Sequence, residues 1–488
     1  MRIQKNALPT ENITPDPASK RLGLLSLLSV SVGLVVSQGV MVMMLHGVGM
    51  AGFSFIAPLA LALFLALTYA WSFSELALMI PRAGSLCSYT EVALGHFPAI
   101  VATFSGYIVV AMFALSAEIL LLDQVVGHLF PSLPLPPMSI GGGILLLFTL
   151  LNLLNIDIFA RLQFVLAAVM VITLLALGVC AIGSEHAAPI SSLMSEENRA
   201  PLGWGVVALV AAGIWGFVGA EFVCPLVEQT RRPERNIPRS MTIGLCVIFV
   251  TAVLYSLGAL LIVPRDELMN NSLPHYLLAT HVFGHAGKIL LLMAATTATC
   301  STLNSSLATI SRMLSGMAVN GQAFGCFKKH SARTGAPWVA VLFVAAITGL
   351  PMLLMTADSV SILLLAAALC WLLAYIVAHV DVIVLRRRYP NMERPFRTPF
   401  YPLPQILGIA GMLYAMWMAS PSPDMTIEIF GFAGGVLALV AIIAALWIVF
   451  VMRKPLFVPE PIEQALYPTP LPAPEATAQR PKREKPAY

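Results

Sequence analysis

Charge is what this sequence has least of. Only 11% of its 488 residues are Asp, Glu, Lys or Arg, while 58% are hydrophobic and the mean hydropathy is +0.85. An ordinary soluble domain carries about 25% charge, so the chain is built for lipid. Its seven cysteines are scattered singly, with no CxxC or CxxH spacing, which excludes the common zinc and redox motifs. No GxxxxGK[ST] occurs; without a phosphate-cradling loop, energy has to come from a gradient or from exchange. Paired carboxylates and histidine clusters at ligand spacing are also missing, which argues against a membrane enzyme and calls for no cofactor. A channel is disfavoured because no filter-like segment stands outside the helices. A sensor without transport remains a remote alternative, since it would usually append a soluble domain. No cleavable signal peptide is visible, so the first apolar stretch is expected to stay in the mature protein.

What is present is a series of apolar runs. Twelve are long enough to cross about 30 Å of hydrocarbon, near 22–47, 52–80, 97–126, 138–157, 161–183, 203–228, 240–263, 286–318, 336–356, 358–385, 403–420 and 427–452. Loop charge tests that count. With the N-terminus in the cytoplasm, 25 of the 28 Lys and Arg fall in cytoplasmic segments, and only Arg199, Arg265 and Lys288 do not. Topology therefore explains the net charge of +4 better than a nucleic-acid partner does. The expectation is a multi-pass protein of the plasma membrane with both termini cytoplasmic; oligomer formation is left open. Residues 1–21 form an N-terminal tail, and 453–488, rich in Pro and Ala with a basic end, a tail too poor in apolar residues to fold alone.

Two of the runs are broken. The first contains "VVSQGVMVMMLHGVG", where Ser37, Gln38 and Gly39 interrupt it, and the sixth contains "GIWGFVGAEF", with three glycines and Glu221 in ten residues. If the first ten helices form two halves of five, at 22–183 and 203–385, these lead each half at nearly the same depth. Paired interruptions of this kind point to a midplane solute site. Unwinding frees backbone N–H and C=O groups that lipid cannot satisfy, so a break belongs where it lines a cavity. The half-helix ends then offer partial positive charge to an anion and carbonyls to a cation, which suits a zwitterion or an amine. Gly213, Gly216 and Gly219 also form a small-residue face that close helix packing would explain.

These residues resemble the amino acid/polyamine/organocation permeases. "WGFVGAE" is similar to that family's sixth-helix motif, "SELALMIPRAGSLCSYTEVALG" to its second-helix exit, "NSSLATISRMLSGMA" to the end of its eighth helix and "LRRRYPNMERPFRTPFYPLP" to the loop after its tenth. The resemblance implies an all-α membrane protein of the LeuT-like fold, five plus five inverted helices with two more at 403–452. It implies a secondary transporter, symporter or antiporter, moving amino acids by alternating access. Carried over by position, Ser37, Gln38 and Gly39 with Ile214, Trp215, Gly216, Phe217, Val218 and Gly219 form the substrate site. Carbonyls around Ile214 to Val218 take an ammonium, Trp215 gates, and Glu221 couples gate movement to substrate or proton; its alternative role is a structural carboxyl holding the unwound first helix. Tyr89 caps the inner vestibule.

The chain departs from that pattern at Gln38, where relatives carry a small residue between N–H groups that hold a substrate carboxylate. Its amide either donates to that carboxylate or closes the subsite, favouring a polyamine- or ethanolamine-type amine. Glu118, deep in the third run, could receive a cation or relay a proton, or sit satisfied in an outer vestibule. Glu75 would latch to an arginine, either Arg82 or one in the loop after the tenth helix. At the fifth-helix position where some relatives have a lysine, Met170 stands. The hydroxyls of the eighth helix, Ser305 and Ser306 among them, offer oxygens for sodium, although such hydroxyls commonly satisfy helix carbonyls instead; proton coupling or exchange is the other option. His46, His379 and Asp381 are further candidates for proton movement, but lone histidines near helix ends are usually interfacial, so they stay outside the site.

Overall fold

A computed structural model of the protein describes residues 22–466, apart from 133–135, 137, 155, 355–358 and 421–422. The expectations for residues 1–21 and 467–488 lie outside the described residues. Within them the chain is helical throughout, and strand-like pairing is limited to two isolated bridges, Leu22 with Thr230 and Gly52 with Arg199. Eight helices are long and apolar enough to cross a membrane, or nine when a bent pair is taken as one span. Three shorter apolar helices, Ser139–Asn152, Trp338–Leu353 and Leu403–Trp417, accompany them.

The bent pair is α1 (Leu24–Val35) and α2 (Gln38–Ala51), which meet at 58°. Extended backbone at Val36 and Ser37 separates them, and the Ser37 hydroxyl caps α2 by accepting from Val40 N. A serine before a glutamine and a glycine is a good N-cap and a poor helix interior. α1 packs against the Ile156–Ile182, Pro233–Ile262 and His285–Val319 helices. Gly33 permits the approach, because a Cβ there would lie 2.1 Å from Gln163 Nε2 and 2.6 Å from Ser301 Oγ.

The second break follows the Val210–Trp215 helix. Gly219 takes φ +108, a left-handed conformation that favours glycine. The chain then continues as a 3₁₀ segment, Ala220–Gln229. Pro225 inside it has no N–H to donate to the preceding turn.

α3 (Ile56–Met79) leads to α4 (Leu86–Ala93), a short helix buried along its whole length. Against α4 lies a stretch that the composition assigned to a free tail. Phe97 N donates to Leu456 O at 2.9 Å and Glu460 N to Glu91 O at 3.0 Å, while Arg82 donates to the carbonyls of Ala465 and Leu466. The departure from expectation at Arg453 to Leu466 has a physical reason: partners on α4 and beside it satisfy the backbone of a segment that cannot bury a core by itself. Glu91 is held there by Gln322 and Asn320, with His96, Lys454 and Glu460 nearby. Burial, reinforced by the Glu460 charge, pushes its carboxyl up to about 8. A raised carboxyl pKa means that the docked form binds a proton which the undocked form releases. Docking is therefore favoured below about 4.5, weakens as pH climbs towards about 8 and then levels off. Tryptic cleavage after Arg453, read by mass spectrometry in detergent and normalised at each pH to an unstructured peptide substrate, should speed up across that window, and Glu91→Gln should flatten the normalised response.

Candidate functional site

The two breaks meet around a small central cavity of ≈ 30 Å³, room for no more than a water or two. Leu34, Val35 and Ser37 from the first break and Trp215 and Val218 from the second stand on its wall, with Glu118 between them. A larger cavity of ≈ 530 Å³ opens on the face opposite Leu22 and Leu466, lined in part by His46, Gln124, His128 and Ser361. Leu121 and Val42 on its wall stand within about one and a half helical turns of Glu118 and Ser37. Gln38, fully buried, and Leu364, packed where a Cβ on Gly39 would fall, fill the space between.

Each break is tied to a buried carboxylate. Glu118, 1% exposed, accepts Gln38 N on Oε2 and Gly39 N on Oε1, both at 2.8 Å. These amides open α2, where free N–H groups and the helix dipole attract an anion. Here that anion is a side chain of the protein itself. Gly39 is required by this approach, since a Cβ would lie 2.7 Å from Glu118 Oε1. Glu221, fully buried, accepts the Trp371 indole N–H at 2.9 Å and the Tyr375 hydroxyl at 2.7 Å. Tyr375 Oη accepts from Gly219 N at 2.9 Å, and the stacked Tyr69, with ring centroids 4.0 Å apart, donates to Phe217 O at 2.5 Å. The second break is thus held by two tyrosines and one carboxylate.

Ser37, Gln38, Gly39, Trp215 and Val218 all lie at the breaks. The side chains of Ile214 and Phe217 are fully buried in the apolar core, and their carbonyls already accept hydrogen bonds, Ile214 O from Phe217 N at 2.9 Å and Phe217 O from Tyr69. Gly216 is packed by Met44, with 2.9 Å to a would-be Cβ. The role weighed for Glu221, a carboxyl holding the unwound first helix, belongs to Glu118; Glu221 faces the Val360–Arg388 helix instead. Glu75 sits away from the cavity and pairs with Arg386 at 2.7 Å and Arg394 at 3.3 Å, while Thr398 N donates to it at 2.8 Å. Arg82 is engaged with the C-terminal segment. Tyr89 is fully buried, and its hydroxyl has no hydrogen-bond partner among the described residues.

On the eighth apolar run, Ser301 Oγ donates to Gly33 O at 2.6 Å, and Gln163 Nε2 donates to Ser301 Oγ at 2.7 Å. Gln163, not Met170, is the residue of its helix that reaches between the first and eighth runs. Ser306 faces the central cavity, and the buried Ser305 hydroxyl has no partner among the described residues. The described residues contain no group of three His, Cys, Asp or Glu that could hold a metal.

A family model described as amino acid permease matches residues 22–469. The chain belongs to the amino acid permease family. It is accordingly a multi-pass membrane transporter and not an enzyme. The permease is 25% identical over 308 residues to the amino-acid permease AapA of Bacillus subtilis, covering 59% of this chain and 65% of that protein. It is 23% identical to the serine/threonine exchanger SteT of Bacillus subtilis, over 81% of this chain and 90% of the other. With the aromatic amino acid transport protein AroP of Salmonella typhimurium the identity is 25%, over 78% and 85%.

Four site residues escaped the sequence reading: Trp371, Tyr375, His275 and Gln163. Trp371 and Tyr375 had a signal, because an aromatic pair four apart in an aliphatic helix must share one face. His275, whose Nε2 lies 3.3 Å from Gln38 Nε2, had none. It arrives on a short helix, Pro274–Phe283, in a connection that reads as loop.

Proposed function

We propose that the permease is a secondary active transporter that moves a small solute bearing an amino group by alternating access, with proton coupling or exchange as its energy source. The observation that carries this reading is the meeting of two interrupted helices at one central cavity, each interruption tied to a buried carboxylate. In this reading the chain crosses the membrane twelve times. Residues 22–183 and 203–385 are the two inverted halves, 403–452 adds two helices, and both termini are cytoplasmic. The ≈ 530 Å³ cavity then faces outward, and Gln38 with Leu364 is the thin barrier between it and the central cavity. On the inner side the barrier is thick: Glu75, Arg386, Arg394 and α4 all pack there. Glu221 links the sixth-helix break to the tenth helix, so its protonation would loosen Trp371 and Tyr375 together.

Counterflow in proteoliposomes tests this. Vesicles preloaded with a mixture of the twenty amino acids, putrescine and ethanolamine should accumulate at least one of these solutes from a labelled trace, with saturation. Repeating the assay with an imposed pH gradient or sodium gradient identifies the coupling. A bound solute at 100 times its dissociation constant should also stabilise the purified protein by about 2.7 kcal/mol. Absence of counterflow for every solute would overturn the reading.

A further inference from the structure

We infer that Glu118 fills the anion-binding end of α2 and that the central cavity, once widened beyond the ≈ 30 Å³ of this closed arrangement, is a site for an organic cation without a carboxylate, a primary ammonium on a short alkyl or hydroxyalkyl stem. The inference rests on the transporter reading above and names its solute class.

The first step is an account of donors. A helix leaves its first four N–H groups without intrahelical partners. At α2 all four are satisfied by the protein: Ser37 N by Val35 O at 3.0 Å, Gln38 N and Gly39 N by the two oxygens of Glu118, and Val40 N by Ser37 Oγ at 3.3 Å. A solute carboxylate arriving here would have to expel a bidentate internal carboxylate from a fully buried seat and would bring no better acceptor. It would also place two like charges side by side in a site shielded from water, which is strongly unfavourable.

The second step is the rest of the wall. Among its described residues the cavity carries no Lys, Arg or His, so nothing else there would neutralise a carboxylate. Glu118 is its one charged group. Around it stand the aromatic faces of Trp215, Phe222 and Trp371, surfaces that attract a cation. Two polar groups on this wall point to a ligand independently of the helix end. The Trp215 indole N–H and the Thr302 hydroxyl are 5% and 6% exposed, and neither has a hydrogen-bond partner among the described residues. Buried donors and acceptors are nearly always paired. A hydroxyl on the solute stem, or its ammonium hydrogen, would satisfy them. Apart from Ser37 and Ser306, the remaining wall is aliphatic, with Val110, Ala114 and Ile310 among it, and fits a short carbon stem. Lone pairs of Glu118 that are not used by the two amides remain to receive an ammonium.

Matched pairs test this on the unmodified protein. Leucine with isoamylamine, tyrosine with tyramine, serine with ethanolamine and γ-aminobutyrate with propylamine each share a stem and differ in the carboxylate. Thermal unfolding in detergent and competition for counterflow are measured for all eight. The expected result is that the carboxylate-free member of each pair binds about tenfold more tightly or better, the scale of one charged hydrogen bond. Glu118→Gln should abolish that preference. Equal or tighter binding of the amino acids would overturn the cation site while leaving transport standing, and so would absence of any thermal shift from the four amines. Amines that bind without counterflow would overturn the transporter reading and leave the cation site intact.

Discussion

Glu221→Ala is expected to be the most damaging single change near the breaks. The carboxylate holds two buried donors, the Trp371 indole N–H and the Tyr375 hydroxyl. Truncation leaves both unpaired where water cannot reach, at about 1–3 kcal/mol each, and adds a cavity. Tyr375 also caps Gly219 N, so the loss spreads to the left-handed turn of the second break. Thermal unfolding in detergent should show destabilisation of about 3 kcal/mol or more, and counterflow should fall with it. Glu221→Gln should cost less, because its amide oxygen still accepts one donor while its NH₂ opposes the other. Tyr375→Phe removes the Gly219 cap and the Glu221 hydrogen bond together while leaving Trp371 paired with the carboxylate. If Glu221→Ala proves as stable as the unmodified protein, the carboxylate is not what holds the break together.

Arg386→Ala should be comparably severe for stability. Its guanidinium grips Glu75 in a two-toothed pairing at 2.7 Å and lies 4.1 Å from the Tyr401 ring centroid. The Glu75 side chain is only 2% exposed, so removing the arginine strands a buried charge, a change that typically costs about 3–5 kcal/mol. Arg394, 3.3 Å from the same carboxylate, should keep the loss towards the lower end of that range. The double variant Glu75→Gln with Arg386→Ala should recover part of the stability, because the buried carboxylate charge is gone and Arg394 keeps the Met392, Leu385 and Tyr389 carbonyls. Equal unfolding temperatures for the single and double variants would show that packing, and not the ion pair, sets the effect. The pair joins α3 to the end of the Val360–Arg388 helix; in the proposed orientation that is the inner face, so weakening it should also speed inward opening.

Much of this was legible in the sequence, for particular reasons. An uncharged run in lipid must be a helix, because no other backbone conformation satisfies its own hydrogen bonds there. Ser37 and Gly219 betray the breaks, since one is a natural cap and the other tolerates a left-handed turn. Their chemistry was less legible. Glu118 and Gln38 are eighty positions apart, and nothing local says that a third-helix carboxylate will reach first-helix amides. Glu75 showed the need for a cationic partner but not which one, since several arginines lie near that face.

The shorter pieces were harder still. α4, the Pro274–Phe283 helix and the packed stretch from Arg453 to Leu466 are too short or too polar to announce themselves by periodicity. They hold their shape through contacts with other parts of the chain, Glu91 with Gln322 and His275 with Gln38 among them. By itself, then, the sequence determined a helical membrane protein, the approximate places of its spans and the positions of its two interruptions, because desolvation of the backbone is a local constraint. Only the tertiary structure decided which carboxylate serves which break, that Trp371 and Tyr375 close on Glu221, and that the C-terminal segment docks on α4. Those outcomes depend on which distant groups share a buried space, and a buried polar group takes its partner from whatever the packing brings within reach.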